Sequence, residues 1–145
     1  MTSTDDPFDL QRFVRAQAAV WDQVRAELAA GAKRSHWMWF VFPQLVHLGR
    51  SETARFYGIR SQDEALAYAR HPLLGARLRE VCALVQALPA GAVAGAFGAV
   101  DTLKLRSCLT LFEAVVADEA LFGQVLERHF DGARCELTQS NLPPA

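Results

Sequence analysis

At 145 residues and 16.0 kDa, the chain has the length of one domain that buries roughly two-thirds of its unfolded surface. With 51% hydrophobic and 21% charged residues and a formal net charge of -1, it is neither a disordered chain nor a strongly basic one, so nucleic acid is not the expected partner. No apolar run reaches the ~20 residues of a membrane helix, no basic-then-apolar leader opens the chain, and the scattered Cys82, Cys108 and Cys135 suit neither a disulfide framework nor a zinc site; the expectation is a cytoplasmic single domain over 1–145 with free thiols, no metal and no cofactor.

Helical signals dominate. Asp6-Pro7-Phe8-Asp9 offers an N-cap, a proline for the first helical position and a carboxylate for the first turn. Leu10, Phe13, Val14, Trp21, Val24 and Leu28 then recur at helical spacing and Gly31 is a stop, which predicts one long helix over about 7–30. Ser35 is read as the cap of a short helix over 36–42, ended by Pro43. On it Trp37, Phe40 and Val41 share one face, and His36 and Trp39 another. Ser61-Gln62-Asp63-Glu64 has the capping-box form and starts a helix to Arg70. His71-Pro72 starts the next, with Leu74, Leu78, Val81, Val85 and Leu88 as its buried stripe and Pro89 as its end. Residues 89–100 read as a loop with one helical turn around Phe97. Asp101 is read as the cap of a helix through Ala117 with Leu105, Leu109, Phe112 and Val116 inward, and Asp118 as the cap of another, closed after Phe130 by Asp131-Gly132. Residues 1–6 and 140–145 are expected to be flexible ends. No segment alternates with period two, so the expected fold is all-α, a compact bundle of six or seven helices.

The segment 33–50 departs from ordinary core. It holds Trp37 and Trp39, two of the three tryptophans, and His36 and His47, two of the four histidines. Over residues 31–60, Lys33, Arg34, Arg50, Arg55 and Arg60 are opposed only by Glu52, a net +4 in a chain whose total is -1. Lysine is rare: Lys33 and Lys104 are the only two among 15 basic residues. Cationic groups beside indole rings suit an anionic, partly aromatic ligand, a nucleotide or a sugar phosphate. Lys33, Arg34 and Lys104 are the candidates to hold the anion, Trp37 or Trp39 to stack, and Gln44, Ser107 and Thr110 to orient; His36 is the candidate general acid or base. The competing reading of Trp37 is core, that of Ser107 and Thr110 a close helix contact, and that of the whole 31–60 face a non-catalytic surface for a protein partner. The residues leave open whether the protein is an enzyme.

The strings His36-Trp37-Met38-Trp39-Phe40 and Lys104-Leu105-Arg106-Ser107-Cys108-Leu109-Thr110-Leu111-Phe112, with Tyr57-Gly58-Ile59 and His71-Pro72-Leu73-Leu74-Gly75 between them, resemble a family of small, uncharacterised bacterial proteins, a domain of unknown function often mislabelled calpastatin. The resemblance spans nearly the whole chain and implies an all-α fold without an assigned activity. A lesser likeness, on Ala65-Leu66-Ala67, Leu74-Gly75 and the helix pair over 102–130, is to YbiA-like hydrolases of ADP-ribose derivatives; the catalytic signature of those enzymes is absent, and the likeness bears only on ligand class.

Overall fold

The computed structural model describes residues 6–142, and every regular element among them is helical. In chain order these are α1 (Gln11–Ala18), α2 (Trp21–Ala30), α3 (Met38–Val41), α4 (Glu52–Phe56), α5 (Gln62–Arg70), α6 (Pro72–Gln86), α7 (Val93–Phe97), α8 (Ala99–Val115), α9 (Leu121–Phe130) and α10 (Glu136–Asn141), with a 3-10 turn at Val46–Leu48. Six of the ten have eight residues or more, in line with the expected six or seven; the others are short turns too small to carry a periodic stripe. No helix among the described residues is long and apolar enough to cross a membrane.

The long α8 is the centre of the bundle and packs against α5, α7, α9 and α10, while α6 lies against α2, α5 and α9. Most of each predicted stripe is core: Leu74, Leu78, Val81 and Val85 of α6 and Leu105, Leu109 and Phe112 of α8 are buried, with Phe13, Trp37, Tyr68 and Phe122 filling the space between helices, whereas Val116, expected inward on the same helix, follows its last residue and is half-buried. Ser61 caps α5, its hydroxyl accepting from the Glu64 N–H at 3.0 Å. His71 caps α6 through Nδ1, which accepts from Leu73 and Leu74, and Pro72 occupies the first turn where its missing N–H is harmless. Gly75 lets α6 start against α5, since a Cβ there would lie 2.2 Å from the Ala69 carbonyl oxygen.

Five boundaries differ from the sequence reading. Asp9 sits in the left-handed region (φ 51°), so no helix runs from Pro7; the Asp6 carboxylate instead caps the Leu10 and Gln11 N–H groups. The single helix over 7–30 is two, broken at Ala19 and Val20, because each half answers a different neighbour. Buried Gln17 donates to the Phe40 carbonyl and the Tyr68 hydroxyl, whereas Trp21 donates to Glu80 on α6. Ser35 does not cap α3: its hydroxyl donates to Glu27, and the helix begins only at Met38. Asp101 and Asp118 are not caps either, since α8 starts earlier behind Gly98 and α9 later behind Ala120. Of the expected flexible ends, residues 1–5 and 143–145 lie outside the described residues; residues 140 and 141 belong to α10.

Candidate functional site

The site is organised by a residue the sequence analysis passed over. Gly31, in the left-handed region (φ 69°), ends α2 and turns the chain so that residues 34–37 fold back over Glu27. The Glu27 carboxylate accepts four hydrogen bonds: from the Arg34 N–H at 2.8 Å, the Ser35 N–H at 3.1 Å, the Ser35 hydroxyl at 2.6 Å and the Trp37 indole N–H at 3.0 Å. Burial alone would raise its pKa; these donors outweigh it and hold the carboxyl at about 2, against an ordinary 4.5. Lys33 is tied as well, its backbone N–H donating to the Ala96 carbonyl ahead of α8. The signal for Glu27 was present: it follows Val24 by three residues and precedes Leu28, so it faces inward on α2.

The loop thus held meets the N-terminus of α8 across a cavity of about 420 Å³ whose walls include Lys33, His36, Trp39, Phe97, Asp101 and Lys104. Four of the sequence candidates therefore line one space. Their roles differ. Lys33 is almost wholly buried, its side chain 6% exposed, and its ammonium is committed to Asp101 at 2.9 Å and to the Ser35 carbonyl, above the Trp37 ring. Lys104 is more open at 23%, lies 3.7 Å from the other Asp101 oxygen and rests over the Trp39 ring at 4.9 Å. The two ammonium groups and one carboxylate leave a net positive charge, most of it on Lys104. Gly98, with φ 82°, precedes α8 and brings no side chain, so no side-chain cap covers the first turn of that helix where Ala99, Val100 and Asp101 border the cavity. Such a turn presents N–H groups and the positive end of the helix dipole. His36 is exposed and has no hydrogen-bond partner among the described residues, so nothing fixes its tautomer for acid-base chemistry.

The remaining candidates lie elsewhere. Trp37 is buried in the core against Phe42 and Phe97, as its spacing with Val41 had also suggested. Arg34 points into solvent and only its backbone is engaged. Gln44 borders a crevice of about 10 Å³ beneath Trp39, room for about one water. Ser107 and Thr110 face α10 rather than the cavity: both hydroxyls donate back to carbonyls of their own helix, Thr110 also accepts from the Cys135 N–H, and Ser107 lies 3.2 Å from the Cys135 sulfur. Lys104 shares their stripe, but its long side chain leans toward the helix N-terminus and reaches Asp101, which short hydroxyls cannot do. Cys108 is fully buried, and burial pushes its thiol well above the ordinary range, away from nucleophilic use. No cluster of metal-binding side chains occurs among the described residues.

This arrangement can hold an anion beside an indole face. A protein-family model described as "Protein of unknown function (DUF1810)" matches residues 7–142. The chain is also similar to the conserved hypothetical protein Rv1873 of Mycobacterium tuberculosis, at 46% identity, with a TM-score of 0.94 over 97% of this chain and 100% of that one. No curated protein matches. Neither match concerns calpastatin or a hydrolase of ADP-ribose derivatives.

Proposed function

The chain belongs to the DUF1810 family, whose function is unknown, and we propose that it binds a small anionic ligand, a nucleotide-like molecule or a sugar phosphate, in the cavity between residues 33–39 and the N-terminus of α8. The observation that carries this reading is the convergence of Lys104, the uncapped first turn of α8 and the Trp39 ring on one space of about 420 Å³, within the ~300–1,000 Å³ range of small-molecule sites. Asp101 would repel an anion, but Lys33 sits 2.9 Å from it, inside the wall, and offsets its charge. Lys104 and the helix dipole are then left to act outward. Lys33 is in this reading a positioning residue and Lys104 the ligand contact. His36 stands at the rim without an orienting carboxylate, so it supports binding better than general-base catalysis.

The test is calorimetric titration with ribose 5-phosphate. Wild-type protein should bind, and Lys104→Ala should weaken binding about tenfold or more, the scale of one lost charge-assisted hydrogen bond. No binding, or binding indifferent to Lys104, would contradict the reading. A second reading draws on the surface: Arg34, Arg50, Arg55 and Arg60 are all exposed, and their guanidinium groups have no partner among the described residues. Such a face suits docking to an acidic protein surface, and it becomes the better account if the cavity binds nothing.

A further inference from the structure

The ring of Trp39 is a partition between two spaces. On one side lies the basic cavity at α8. On the other lies a cavity of about 560 Å³ whose lining includes His36, Trp39, Phe40, Glu52, Phe56 and Tyr57. His36 and Trp39 belong to both. The two are chemically opposite. The first holds both lysines of the chain; the second holds neither lysine nor arginine, and its one formal charge is the Glu52 carboxylate. Its walls are aromatic. The Phe40 and Tyr57 rings lie 5.3 Å apart, Phe56 and Tyr57 4.8 Å apart edge to face, and Phe56 is 54% exposed although nothing in the fold requires so large an apolar surface in water. The backbone beneath Phe56 is nonetheless fixed, because its carbonyl accepts from the buried Arg12 guanidinium at 2.8 Å.

The geometry points to a ligand with two unlike ends that straddles Trp39: a nucleoside 5'-phosphate, its phosphate against Lys104 and the first turn of α8, its base among Trp39, Phe56 and Tyr57. This rests on the anion-site reading above and chooses between its two ligand classes, the nucleotide-like molecule over the sugar phosphate. Electrostatics sets the direction. A phosphate beside Glu52 would meet a like charge without a cation to offset it, whereas a base brings a π-face for the rings, and sugar hydroxyls bring donors for the carboxylate. Stacking is tolerant of base identity, since every base has a π-face, so adenosine 5'-monophosphate serves as the probe.

The experiment is calorimetric titration of AMP and ribose 5-phosphate into wild type, Lys104→Ala and Phe56→Ala, with circular dichroism to confirm that each variant is folded. Wild type should bind AMP at least tenfold more tightly than ribose 5-phosphate. Phe56→Ala should remove most of that margin and leave ribose 5-phosphate binding unchanged, while Lys104→Ala should weaken both ligands. If ribose 5-phosphate binds in a Lys104-dependent way but AMP gains nothing over it, or AMP is indifferent to Phe56→Ala, the two-cavity inference fails and the anion site stands. If neither ligand binds, both fail.

Discussion

Glu27 shows how one inward carboxylate can set the shape of a site it does not line. Its pKa is held at about 2 against an ordinary 4.5, a difference worth about 3 kcal/mol. Because the folded value is the lower one, this stability is fully present above about pH 4.5 and is lost as pH falls toward 2. Glu27→Gln replaces one acceptor oxygen with a donor facing donors; it should cost about 2–3 kcal/mol at neutral pH and flatten the acid limb of a pH-dependent denaturant titration between pH 4.5 and 2. An acid limb unchanged by the substitution would show that the loop is held by other means. The two lysines should separate equally clearly. Lys33→Ala leaves Asp101 without its close partner in a nearly closed wall and should cost about 1–3 kcal/mol, whereas Lys104→Ala removes a long, part-exposed contact and should cost less than about 1 kcal/mol. Thermal denaturation of both variants checks this ordering. Trp37→Ala belongs with the core: it deletes a buried indole and orphans one bond to Glu27, for about 3–5 kcal/mol. The sequence distinguished neither lysine from the other, because what separates them is the distance of each to Asp101.

Among the elements, those whose ends are local were legible and those whose ends are tertiary were not. Ser61 with Glu64 and His71 with Pro72 cap through bonds only two or three residues long, and both helices begin where the residues predict. Ser35 has the same local credentials, but the Glu27 carboxylate from α2 competes for its hydroxyl and wins with a charge-assisted bond of 2.6 Å. Asp101 was displaced differently: α8 begins at Ala99, and the exposed Ala99 and Val100 add nothing to the buried stripe that would reveal the earlier start. The helix start depends on Gly98, at φ 82° and ψ 163°, where a side chain would have open space around it but a strained backbone beneath it. Gly98→Ala should therefore cost about 1–3 kcal/mol from conformation alone. It should also disturb the first turn that borders the cavity, so ligand affinity should fall together with melting temperature. A variant as stable as wild type would show that the turn relaxes without penalty.

For the molecule as a whole, hydrophobic periodicity was enough to establish an all-α fold and most of its core, since the stripes of α6 and α8 read directly from spacing. The site was half legible. Rare lysines, the aromatic string at 36–40 and the local positive charge led to Lys33, His36, Trp39 and Lys104, which share one cavity. Ser107 and Thr110 were drawn in by their nearness to Lys104 along α8, and only the position of α10 shows that they face the other way. Burial pushes the Cys82 and Cys108 thiols well up and predicts that both react slowly in the native protein; with all three cysteines free, denaturation should give three reactive groups per chain. The anion site itself is tested most directly by a two-dimensional 15N NMR titration of the wild-type protein with ribose 5-phosphate. The largest shifts should fall on the backbone amides of Ala99, Val100 and Asp101 and on the Trp39 indole N–H. Shifts confined to the exposed face of Arg50, Arg55 and Arg60, or no shifts at millimolar ligand, would contradict it.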